Sequence, residues 1–406
     1  MTMTMTERDD GRTDGGLGLA PLSRVMVRRD PEEAHRAATP LELLFDLCFV
    51  VAVAQSGGRL AHAVAQGQAG HGILGYAMIF FAIWWAWMNF TWFASAYDTD
   101  DVPYRLVTLV QIVGALILAA GVPRAFDRAD YSIVLVGYVV MRLALTTQWL
   151  RAARGERGGA RVTALRYAGG VVLLQIGWVG FWLLPHNDSH VWVFVLLAAG
   201  ELAVPVVAER SSPTSWHPRH IAERYGLFTL IVLGETISAA TVAVQTTVDQ
   251  EASTNLLPIA AGGLLIVFAA YWIYFVVPIH EQLQGARSAF LWGYGHYLIF
   301  ASAAAIGAGI EVAVEKADGH AHISSLSAAA AVTVPTAVFV FVTWLLHARR
   351  FKSSPWQEVV LPMTAAAILA CTFAGSWAVL CAGGVAAASV ATSLAIRYRT
   401  FRSSQG

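Results

Sequence analysis

From residue 39 onward the chain alternates long apolar stretches with short polar breaks, and most stretches approach the length that crosses a bilayer. A hydrocarbon core of about 30 Å takes about 20 helical residues. On that measure, helices are expected near 42–64, 73–95, 105–122, 130–151, 163–184, 190–208, 222–246, 256–278, 289–311, 323–347, 357–374 and 377–396. The last two form one apolar stretch broken at Ala374, Gly375 and Ser376, which leaves open one span or two. The fold class expected is all-α: a polytopic membrane protein of about twelve transmembrane helices.

Composition agrees. Hydrophobic residues make up 56% of the 406 and charged residues 13%, against roughly 25% charged in soluble domains. The 27 basic and 27 acidic residues cancel, but their distribution is uneven. "RAARGERGGARVTALR" at 151–166, "HARRFK" at 347–352 and "RYRTFR" at 397–402 fall on one side of a twelve-span chain. The positive-inside rule then puts both termini in the cytoplasm and the protein in the plasma membrane. Residues 1–38 lack an apolar core and are expected to be a disordered cytoplasmic tail, not a signal peptide; 397–406 is a second tail. The arginines are spread over loops as topology signals, so no nucleic-acid partner is expected. Cys48, Cys371 and Cys381 all lie in apolar runs, which argues against a disulfide framework.

Two matches suggest duplication. "FAIWWAW" at 81–87 resembles "FAAYWIY" at 268–274, and "FDLCFVVAVAQS" at 45–56 aligns with "YGLFTLIVLGET" at 225–236. Two related six-helix halves, 39–210 and 211–396, are expected. With an even number of spans each, they would be related by an axis along the membrane normal.

The candidate chemistry is ionic. Thr39-Pro40-Leu41-Glu42 has the form of a capping box, giving Glu42 a structural task at a helix start. Asp46, Arg142, Glu201 and Glu235 lie deeper, where each unpaired charge costs about 2.5 to 3.5 kcal/mol. They must pair, take up a proton or line a wet cavity. With His296 they form the candidate proton or cation relay, expected to converge on one site. A fixed polar network is the alternative, for example Arg142 bridging Glu201 or Asp46. If the two halves match, Gln55 and Glu235 sit at equivalent depths, and Gly57, Gly58 and Gly234 permit close backbone approach beside them. Trp84, Trp85, Tyr271 and Trp272 are candidates for an aromatic wall facing a cationic or flat organic substrate, or for plain core packing.

Metals and cofactors are not expected. His217, His220 and Glu223 at the start of the seventh span, and His320 and His322 near Asp318, read as interfacial or solvated residues, with Glu223 and Arg224 bonded to neighbouring helix ends. No Walker loop, serine elbow, zinc-protease or dinucleotide motif occurs.

"LELLFDLCFVVAVAQ" and "HIAERYGLFTLIVLGETI" (220–237) resemble the two signature segments of the bacterial low-temperature-requirement A family, and the resemblance extends over roughly 39–396. It implies a multi-pass membrane protein associated with growth in the cold, and no particular reaction. Three functions stay open: secondary transport of an ion or small molecule, which the number of deep ionisable groups favours; lipid modification within the membrane; and a non-catalytic scaffold or sensor. The sequence carries no signal for an oligomeric state, and the lipid bilayer is the one partner it names.

Overall fold

The computed structural model describes residues 22–30, 33, 36–183, 189–249, 256–283, 285–347, 349 and 355–404. Twelve α-helices follow in chain order: α1 (Pro40–Ala65), α2 (Ala69–Tyr97), α3 (Val102–Arg128), α4 (Ser132–Gly155), α5 (Gly158–Leu183), α6 (Ser189–Ala208), α7 (Pro218–Asp249), α8 (Leu256–Phe275), α9 (Ala286–Ala317), α10 (Ser325–Leu346), α11 (Pro355–Ala370) and α12 (Ala378–Ser404). Among the described residues, ten segments are long and apolar enough to span a membrane, with Glu358–Tyr398 counted as one. α7 is not among them; it carries Arg219, Glu223, Arg224 and Glu235, yet its 32 residues extend roughly 48 Å.

The doubtful last pair resolves at the expected break. Cys371–Trp377 forms a 3-10 turn in which Gly375 adopts φ 62°, ψ −130°, a conformation that side chains resist. The chain folds back there, so α11 packs on α12. α12 continues through Arg397–Ser404, where a free tail was expected.

In the first half α1 packs on α2 and α3, α3 on α4, α4 on α5 and α5 on α6. The second half has the corresponding neighbours: α7 on α8 and α9, α9 on α10, α10 on α11 and α11 on α12. They differ in one helix. α8 lies along α12, whereas α2 takes the centre, touching α1, α3, α4, α7 and α9. Burial follows: Trp84, Trp85, Trp87, Phe80, Phe90 and Phe93 of α2 are all at 2% exposure or less.

The expectation of a free N-terminal tail is corrected for residues 22–38. The described part of this segment lies as an extended strap across the helix ends. The Arg24 and Arg28 backbone N–H groups donate to Asp101 Oδ2 at 2.8 Å and Glu156 Oε1 at 2.7 Å, and the Arg29 N–H donates to the Ala96 carbonyl at 2.9 Å. The Arg36 guanidinium donates to the Ser95 and Ala94 carbonyls at the end of α2. Met26 is buried in the core. Gly155 admits the strap, since a Cβ there would come within 1.9 Å of the Met26 carbonyl oxygen. One apolar residue and repeated carbonyl and carboxylate acceptors are enough to hold a segment that hydropathy reads as loose.

Candidate functional site

The deep carboxylates do not meet. They fall into three settings, and this overturns the expected convergence of Asp46, Arg142, Glu201 and Glu235.

The first setting joins α1 to α7. Thr39 caps α1, and both halves of the capping box form, with the Thr39 N–H donating to Glu42 Oε2 at 2.8 Å. The same Glu42 faces Arg224 Nη1 at 3.0 Å and His220 Nε2 at 3.2 Å. One turn on, Asp46 receives Arg224 Nε at 3.0 Å on Oδ2 and Nη2 at 2.6 Å on Oδ1, while Trp87 Nε1 donates to Oδ1 at 2.6 Å. Glu42, Asp46, His220 and Arg224 are all at 0% exposure. A bidentate guanidinium is the geometry that makes an ion pair strong. Arg224 therefore does contact a neighbouring helix start, as expected. Exposed Glu223 takes the Ala38 N–H, at 3.4 Å.

Asp98 closes this end. It follows α2 in a connecting loop and is 7% exposed. Burial, reinforced by the charge of Glu42 and opposed by Arg36, pushes its carboxyl up to about 6.

The second setting surrounds Glu201 on α6. Its Oε2 accepts from Arg142 Nη2 at 2.6 Å and Trp85 Nε1 at 2.9 Å. Its Oε1 accepts from the Tyr138 hydroxyl at 3.0 Å, Trp178 Nε1 at 3.1 Å and Gln175 Nε2 at 3.4 Å. Five donors from α2, α4 and α5 fill the carboxylate. The bridge between Arg142 and Glu201 is the fixed-network alternative, realised. The open space beside it, about 60 Å³, is lined by apolar and aromatic side chains such as Ile79, Phe81 and Phe194.

The third setting is open. Glu235, Glu311 and Glu315 line a cavity of about 400 Å³ at the seam of α1, α7 and α9, with Gly57, Gly58, Gly307 and Ala308 on its walls. No basic residue lines it, and among the described residues no ion pair reaches these three carboxylates. Gly57 and Gly58 are on the wall, whereas exposed Gln55 is not. The separation from Asp46 follows from axial rise. Asp46 is six residues into α1 and Glu235 seventeen into α7, roughly 9 and 26 Å from their starts. Glu311 escaped notice because it falls on the last residue of the expected ninth span, where a charge looks like a boundary marker.

His296 belongs to none of these. Its Nδ1 faces the Trp292 carbonyl at 2.7 Å, and its Nε2 lies 3.0 Å from the Tyr274 hydroxyl and 3.4 Å from His347 Nε2. The aromatic wall is also redrawn. Tyr271 and Trp272 are 48% and 41% exposed, because α8 buries the opposite face carrying Ala270, Ile273 and Tyr274. Trp84 and Trp85 pack instead on Tyr294 and Tyr297 of α9. Among the described residues no group of three or more His, Cys, Asp or Glu side chains is arranged to hold a metal.

Taken together, the helices and their buried ion pairs define a polytopic α-helical membrane protein with an acid-lined cleft. Residues 37–395 match the model of the bacterial low temperature requirement A protein (LtrA) family, and the chain belongs to that family. It is also similar to an uncharacterized protein, RA0937, of Rhizobium meliloti (strain 1021): 26% identical over 291 residues, covering 66% of this chain and 68% of the relative. No solved structure matches.

Proposed function

We propose that the protein is a secondary transporter coupled to protons or a small cation, with Glu235, Glu311 and Glu315 as its cation-handling groups. The observation that carries this reading is the cleft: three carboxylates without a counter-charge, in a space large enough for water or a small solute, between a helix of one half and two of the other. Intramembrane acids in wet cavities are typical of ion pathways. Gly307 on the wall lets α9 approach α7, since a Cβ there would come within 3.3 Å of Thr236 Cα, and the matching neighbour pattern of α1–α6 and α7–α12 supports two repeats meeting at a central site. Asp46 and Glu201 leave the relay, since guanidinium and indole donors already occupy them. Both termini are assigned to the cytoplasm of the cell membrane on the basic-loop bias.

The test is flux. Protein reconstituted in liposomes under an imposed pH or sodium gradient is expected to move charge or protons, and Glu235→Gln paired with Glu311→Gln to reduce the rate at least about tenfold. Equal rates in wild type, variant and empty liposomes, across proton, sodium and potassium gradients, would defeat the proposal.

A second reading, action on a lipid, has one observation in its favour. An apolar groove of about 530 Å³ lined by residues such as Leu60, Ile73, Val312 and Val334 borders the acidic cleft at Ala308. It predicts an altered lipid profile in a deletion strain, and unchanged lipids remove it.

A further inference from the structure

A separate aromatic cavity lies on the side of Trp85 that faces the turn after α6. Rings from five parts of the chain line it: Trp85 and Trp92 of α2, Trp149 of α4, Tyr167 of α5, Trp216 of the turn and Phe290 of α9. Trp149 and Tyr167 stack at 4.1 Å, and Trp92 meets Trp216 edge to face at 5.0 Å, so each pair fixes the other's orientation. Glu209 is the single charged residue on the wall. Its Oε1 accepts from the Tyr167 hydroxyl at 2.9 Å and Thr214 Oγ1 at 2.8 Å, and its Oε2 from the Thr214 N–H at 2.8 Å. All three donors are neutral. Among the described residues no cation reaches this carboxylate, so it is held in place with its charge uncompensated.

We propose that this cage binds an alkylated ammonium group. Electron-rich ring faces attract cations, and they favour alkylated ammonium because it sheds water readily and matches the rings' apolar surface. Bare metal cations would need several oxygen ligands, and the cage offers them few. The open space is only about 30 Å³, so the head group enters as half-buried Thr214 and Trp216 at its edge give way, with the remainder of the molecule leaving between them and Glu209. The Trp149 indole N–H, on the same wall, has no partner among the described residues and is suited to an oxygen on the ligand. The site deepens the transport reading by naming a substrate class, and it rests on that reading only for its purpose, not for the binding.

Full-length protein in lipid nanodiscs is titrated with choline and with its neutral isostere 3,3-dimethylbutan-1-ol, following tryptophan fluorescence and heat. Choline is expected to bind saturably and the isostere at least about tenfold more weakly, with Glu209→Gln and Trp216→Leu each weakening choline by about tenfold. Trp216 sits on a turn outside the helices; if its leucine variant fails to fold, Trp216→Phe replaces it, with a smaller loss expected. Equal binding of the two probes, no choline binding, or an unaltered Glu209→Gln variant would overturn the cage. Choline binding without flux of any cation overturns the transport reading and leaves the cage; cation flux without choline binding does the reverse.

Discussion

Asp46 and Glu235 are both carboxylates inside apolar helices, on α1 and α7 respectively, and the protein treats them in opposite ways. Asp46 is closed in by a bidentate arginine from the other half and an indole N–H, with no cavity beside it among those described. Glu235 is half-buried in a cleft it shares with two further acids and no base. An ion pair with saturated donors fixes two helices in register. A carboxylate among its own kind, next to water, can trade a proton or hold a cation. Depth in the membrane therefore does not identify a working acid. On the proposed transport reading, the acid to test is the one without a dedicated donor.

That contrast can be broken or sharpened by substitution, reading stability by thermal unfolding in a mild detergent. Arg224→Leu strands Glu42 and Asp46 together without a cation and is expected to lose about 5 kcal/mol, enough to prevent recovery of folded protein. A variant that unfolds like wild type would show that the α1–α7 pair does not hold the halves. Arg142→Met leaves Glu201 with its tyrosine, tryptophan and glutamine donors, so a smaller loss of about 3 kcal/mol is expected.

Asp98 acts in the other direction. Its carboxyl, ordinarily near 3.8, stands at about 6 in the folded protein, which therefore binds the proton more tightly than the unfolded chain. Stability from this group is present in full below about pH 4, is lost as pH rises to about 6, and stays lost above. Asp98→Asn remains neutral and can keep the bond from the Asp100 N–H, so it is expected to gain on the order of 2 kcal/mol at pH 7 and nothing near pH 4. Identical melting profiles for the two proteins from pH 4 to 7 would contradict this. The smallest effect is expected at Glu235→Gln, within about 0.5 kcal/mol of wild type, because no partner is lost. A large destabilisation there would move Glu235 into the same class as Asp46.

Much of this architecture was legible in the sequence because bilayer length and apolar runs constrain it strongly. The order of the helices, the capping box at Thr39 and Glu42, and the break at Gly375 all follow from local chemistry. Partner choice was legible only where few partners exist: Arg142 is the one arginine near the middle of an expected span, so its pairing with Glu201 was among the alternatives. Arg224 was placed correctly at a helix start, but its grip on Asp46 depends on how α1 and α7 lie side by side, which no spacing along one helix encodes. Tyr271 and Trp272 show the same limit. A helix this uniformly apolar has no polar face to mark its outside, so the lipid-facing side is decided by packing alone. The strap was missed because hydropathy counts residues and cannot see acceptors waiting on distant helix ends.

The strap also joins helix ends that lie far apart in the chain. It ties the ends of α2, α3 and α4 together through Ala96, Asp101 and Glu156, and the ring nitrogen of His217, just ahead of α7, lies 3.0 Å from the Glu33 carbonyl. No such tether crosses α8 to α12 among the described residues. If the proposed transporter rocks, α1 to α7 form the stator, and the swinging arm is the remainder that carries Glu311 and Glu315.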